Sequence, residues 1–140
     1  MDKIKIENMI SDYGKTVNYR ELEPEEYKKI EEIIIKKFIK YEVDKTDIIK
    51  VILDKSKSIA KVDDDFLIER VIEKAGFNKM GNIYVMWDRM DHIDEIILKE
   101  FDEYIFDFWY EGLDNIQIFD AGMEWILFIT RYGDVRILKK

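Results

Sequence analysis

The stretch Trp125-Ile126-Leu127-Phe128-Ile129-Thr130-Arg131-Tyr132-Gly133-Asp134-Val135-Arg136-Ile137-Leu138 decides the fold of this chain. Two β-branched and aromatic runs flank Tyr132-Gly133-Asp134, which carries the glycine a tight hairpin turn uses. A strand is therefore expected over Glu124 to Thr130, with its return over Val135 to Leu138. Upstream, Ile116-Gln117-Ile118-Phe119 alternates as a further strand after the turn residues Gly112-Leu113-Asp114-Asn115. Ile83-Tyr84-Val85-Met86-Trp87 is another run of strand length and composition. Between these two, Asp88 or Asp91 is placed to cap a long helix. In that helix Ile93, Ile96, Ile97, Phe101, Tyr104, Ile105 and Phe108 follow at three- and four-residue steps.

The first half of the chain has a different texture. Pro24 beside Glu25 and Glu26 marks a helix start, and Tyr27, Ile30, Ile34, Phe38 and Tyr41 give it one apolar stripe. Asp44 or Thr46 caps a second helix through Ile48, Ile49, Ile52 and Leu53, and Lys55-Ser56-Lys57-Ser58 ends it. Asp63-Asp64-Asp65 caps a third, which closes at Gly76. A loop over Asn78 to Asn82 follows. The first twenty residues suit a short helix or an extended lead-in. The expectation is one α+β domain over residues 1–140: a helical N-terminal half, then strand, long helix, strand and β-hairpin. Its small, mostly antiparallel sheet would carry helices on one face.

Composition excludes several chemistries. The 140 residues include no cysteine, so disulfides, zinc–thiolate centres, iron–sulfur clusters and thiol nucleophiles have no donor. The serines, Ser11, Ser56 and Ser58, occupy no nucleophile elbow, and six scattered glycines form no phosphate-binding loop. No apolar run is long enough to cross a bilayer, and acids come early at the N-terminus, so a cytoplasmic location without membrane attachment is expected. No cofactor is called for. Isoleucine stands at 24 positions, too many for its count to argue strand content, which leaves periodicity to carry that load.

The net charge of −8 is unevenly placed, for Asp88 to Glu124 holds 12 acids against only Arg89 and Lys99. Such a segment repels nucleic-acid phosphate and attracts a basic partner. Lys50, Lys55, Lys57 and Lys61 are interspersed with acids and lack aromatic neighbours, so they fit a solvated face better than a nucleic-acid site. Asp88, Asp91, His92 and Glu95 are the available metal or acid–base candidates. On a helix, Asp91 and Glu95 would share a face, with His92 three residues from Glu95. The same acids would also serve a first helical turn by complementing its dipole.

Tyr104-Ile105-Phe106-Asp107-Phe108-Trp109-Tyr110-Glu111 has more aromatics than one helix stripe can hide. These rings suit either core packing where the long helix ends or, set among acids, the composition of a hot spot for a basic protein. The candidate partner-binding residues are Asp102, Glu103, Phe106, Asp107, Trp109, Tyr110, Glu111 and Asp114.

The segments Phe106-Asp107-Phe108-Trp109-Tyr110, Asp114 to Asp120 and Trp125 to Asp134 together resemble small uncharacterised bacterial proteins of the toxin–immunity type. Arg131-Tyr132 stands where that pattern often has a His-Glu pair. The resemblance implies a non-enzymatic inhibitor that binds a cognate toxin, such as a basic nuclease, without turnover. The alternatives are a metal-assisted hydrolase built on the Asp88–Glu95 cluster and a structural subunit of a bacterial assembly.

Overall fold

The computed structural model describes residues 1–78 and 81–140; Lys79 and Met80, in the expected Asn78–Asn82 loop, lie outside the described residues. Six α-helices and seven strands make up an α+β fold among these residues. The chain runs α1 (Lys3–Tyr13), β1 (Tyr19–Glu21), α2 (Pro24–Ile34), α3 (Ile48–Lys55), β2 (Lys57–Lys61), α4 (Ile68–Lys74) and β3 (Asn82–Met86). It continues as β4 (Ile93–Ile97), α5 (Leu98–Glu103), α6 (Ile105–Phe108), β5 (Ile116–Phe119), β6 (Trp125–Ile129) and β7 (Asp134–Lys139). All strands join one antiparallel sheet in the order β1-β4-β3-β5-β6-β7-β2.

The expected hairpin is present, with Trp125 opposite Lys139 and Ile129 opposite Val135. Its turn closes through Thr130 N–H to Asp134 and Gly133 N–H to Thr130, with Gly133 at φ 81° where an L side chain is strained. The sheet is larger than expected because two short strands, β1 and β2, close its edges. Neither has a strong apolar alternation; Lys57–Lys61 takes its strand conformation from pairing with β7.

The long helix from Asp88 or Asp91 does not exist. Asp88 to His92 form the turn of a second hairpin, with Trp87 N–H donating to the His92 carbonyl and β4 pairing with β3 from Ile93 onward. Ile93 and Ile96 fit helical spacing, but they lie on opposite faces of a strand and each is buried by a different layer. Only at Leu98 does the chain turn helical, and Tyr104 (φ −117°, ψ 28°) divides that segment into α5 and α6.

Helices cover both faces of the sheet, not one. On the first, Ile83, Val85, Ile118, Leu127 and Val135 pack against α1, α4, α5 and α6 through Met9, Ile72, Phe101 and Phe108. On the second, Met86, Phe119, Ile126 and Phe128 pack against α2 and α3 through Ile30, Ile34, Ile48 and Ile52. Every residue of β5 and β6 is buried as a result. Helix α2 starts as its sequence indicates, with Pro24 at the first turn and Glu26 accepting from the Glu23 N–H. It continues as a π-helical turn over Ile35–Ile39 and stops at Lys40 (φ 69°).

Candidate functional site

The eight residues expected to bind a partner divide sharply. Asp102 is buried under α4, where its carboxylate accepts from the Ile68 and Glu69 N–H groups at 2.7 and 3.1 Å. It thus caps a helix whose own preceding residue, Leu67, has no capping side chain. Burial raises the Asp102 pKa despite those two N–H donors, which act the other way. Trp109 is also buried, and its indole N–H donates to the Asp114 carbonyl. Asp114 binds the Lys5 ammonium at 2.7 Å and the Tyr110 N–H at 2.7 Å. Lys5, 3% exposed, also donates to the Phe108 carbonyl and lies over the Trp87 and Tyr110 rings, which anchors α1 to the sheet. Asp107 accepts from the Tyr13 hydroxyl, raising that phenol's pKa.

Glu103, Phe106 and Glu111 therefore remain as the exposed members of the set. Phe106 keeps 48% of its surface in solvent. It flanks a shallow cavity of about 360 Å³ that also receives Asp63, Asp64, Glu111 and Tyr132. Tyr132 is 74% exposed at the tip of the β6–β7 turn. Leu113, equally exposed, tips the neighbouring turn, which is tied to the first by Gly112 N–H donating to the Arg131 carbonyl at 2.7 Å. Three large apolar side chains and four carboxylates thus stand on adjoining segments around one end of the sheet. Nothing in the sequence pairs Tyr132, Leu113, Asp63 or Asp64 with Phe106. Turn chemistry accounts for each of them locally, and only the fold brings Asp63 and Asp64 beside a segment some forty residues downstream.

The second candidate set does not converge. With no helix over Asp88 to Glu95, Asp91 and Glu95 share no helical face. Asp91 makes a two-pronged contact with Arg89 at 3.0 Å, which lowers its pKa. Glu95 points along the sheet to Arg20 at 3.1 Å. His92 packs against Trp87, and burial lowers its pKa. Among the described residues no group of three or more His, Asp or Glu side chains is gathered to hold a metal ion. No helix among them is long and apolar enough to cross a membrane.

Asp88 has a different neighbour. It sits at φ 59°, and Gln117 Nε2 approaches its carboxyl at 3.5 Å. Partial burial raises the Asp88 pKa, outweighing that contact. Gln117 is 2% exposed, and its Oε1 has no hydrogen-bond partner.

No protein-family model, curated protein or solved structure matches this chain. Its chemistry therefore rests on the residues above.

Proposed function

We propose that this protein is a non-enzymatic binding protein that masks a basic protein partner, in the manner of an immunity protein neutralising a toxin such as a nuclease. The observation that carries the reading is the grouping of exposed Phe106 and Tyr132 with exposed Asp63, Asp64 and Glu111 around one cavity, with Glu103 beside Asp64 and Phe106 in the next and Leu113 on the adjoining turn. Large exposed apolar side chains supply contact area once a partner excludes water from them. The carboxylates steer a basic surface toward them and reject acidic ones. Inhibition then follows from occlusion, with no bond made or broken.

The test uses the protein encoded beside this one as the binding partner, with association followed by stopped flow at low and moderate salt. The unmodified chain is expected to associate quickly, and more slowly as salt rises. Replacing Asp64, Glu103 and Glu111 together by lysine is expected to slow association at least tenfold at low salt. Phe106→Ala and Tyr132→Ala are expected to accelerate dissociation instead. Association unchanged by the three charge reversals, together with dissociation unchanged by Phe106→Ala and Tyr132→Ala, overturns the proposal.

A further inference from the structure

We infer that the cavity between α3 and the α3-facing side of β5 and β6 accepts the guanidinium group of an arginine side chain presented by the basic partner. This inference rests on the reading above and adds a specific recognition site to it. The cavity holds about 400 Å³, far more than the ~30 Å³ share of one water molecule. Ile49 and Leu53 of α3 and Phe128 of β6 supply apolar walls, while Gln117 and Asp88 supply acceptors.

Gln117 is the anomaly that points to a ligand. It faces α3 from the middle of the sheet, with the buried apolar residues Met86 and Phe128 as its cross-strand neighbours. Its Oε1 is buried without a partner, and Gln117 is one of the residues that line the cavity. Buried polar groups are nearly always hydrogen-bonded, so this acceptor calls for a donor, which a bound side chain can supply in place of water. Asp88 adds a carboxylate one hydrogen bond away, held by a backbone conformation that non-glycine residues seldom adopt.

A side chain that replaces water there must donate, and the Asp88 carboxylate favours one that carries positive charge. An anion would face the Asp88 carboxylate. A lysine ammonium would have to shed a tight hydration shell among apolar walls. A guanidinium presents several N–H donors in a fixed plane, is weakly hydrated, and lays its flat faces on apolar side chains. Lys50 also lines the cavity, but it is exposed at the rim, where solvent and salt screen it. Elsewhere on the polar rim, Asn115 Oδ1 accepts from the Arg131 N–H and Thr130 Oγ1 accepts from the Asp134 N–H, and Thr46 is exposed. Asn115 and Thr130 directly adjoin the turns that carry Leu113 and Tyr132. Because Gln117 faces α3 while Phe106 lies with the helices of the opposite face, a partner using both would straddle this end of the sheet across the turns of Leu113 and Tyr132.

The experiment titrates the full chain with N-acetyl-L-arginine methylamide and follows amide and methyl resonances by NMR. The expected result is saturable shifts at the Gln117 side-chain amide and the Ile49 and Leu53 methyls. Affinity is expected to fall at least tenfold in Asp88→Asn and in Gln117→Leu. The neutral isostere N-acetyl-citrulline methylamide is expected to leave those resonances in place. Absence of shifts at Gln117, or equal shifts with the citrulline compound, overturns the inference. A tenfold preference for free L-arginine over the blocked form overturns the assignment to a protein side chain. In the partner assay, Gln117→Leu is expected to raise the dissociation rate. Unchanged dissociation while the docking-surface variants retain their effects removes this site alone. Partner association indifferent to the docking variants, with the blocked arginine still bound at Gln117, removes the function proposed above and leaves the guanidinium site standing.

Discussion

At the scale of single residues, identity and role part company most clearly in the acids. Asp102, Asp107 and Asp114 belong to the same acidic aromatic segment, yet each serves the fold: a cap for α4, a partner for Tyr13 and a partner for Lys5. Glu103 and Glu111, drawn from the same few turns, face solvent. Composition cannot separate these cases, because a carboxylate's use depends on which N–H or ammonium group the fold brings to it. Gln117 is the complementary case. Its position in an alternating strand was plain, but not that its face would be buried. A buried Oε1 without a partner costs stability, offset in part by the Nε2 contact to Asp88, so Gln117→Leu is expected to stabilise the protein by under about 1 kcal/mol. The check is a shift of the urea midpoint to higher concentration at unchanged slope. Stability gained together with blocked-arginine affinity lost is the signature of a residue kept for binding.

At the scale of elements, the hairpin β6–β7 and helices α2 and α3 follow from local pattern, since periodicity, Pro24 and Gly133 act within a few residues, whereas α4 starts at Ile68 under a cap from Asp102 and not from Asp63 to Asp65. The segment Ile93 to Phe108 misleads because its isoleucines fit both a helical stripe and the two faces of a strand. Pairing with β3 decides for the strand, and that pairing depends on the turn at Asp88 to His92. Helix α1 illustrates the same dependence. Its docking relies on Lys5, whose ammonium meets Phe108 and Asp114 more than a hundred residues away. Lys5→Met removes both contacts and strands the Phe108 carbonyl. The expected loss is about 2 kcal/mol, moderated by the water that still reaches Asp114. Amide hydrogen exchange should show protection lost in α1 while β5 and β6 stay protected.

At the scale of the whole molecule, acids and bases set a pH dependence of mixed sign. The Arg20 guanidinium beside Glu26 holds its carboxyl down at about 2, from an ordinary value of 4.5. Arg89 likewise lowers the Asp91 pKa. In both, the unfolded chain binds the proton first as pH falls. Their contribution is therefore complete above the unfolded value and is lost toward the folded one. Asp88 and Asp102 have the opposite sign: burial raises their pKa values, so what they add at low pH is lost as pH rises through those values. Arg20→Met should flatten the decline in unfolding free energy between pH 4.5 and 2, measured by urea melts across that range. An unchanged slope would show that Glu26 has no differential protonation to contribute.

From the sequence alone came an α+β class, the C-terminal hairpin, the concentration of negative charge and the absence of thiol and phosphate-loop chemistry, because short-range spacing and composition carry those properties. The tertiary structure alone decided that helices cover both faces of the sheet, that β1 and β2 extend it, and which aromatics and acids remain in water. Those outcomes depend on contacts between residues tens of positions apart, and a side chain's burial is set by whatever the chain brings against it.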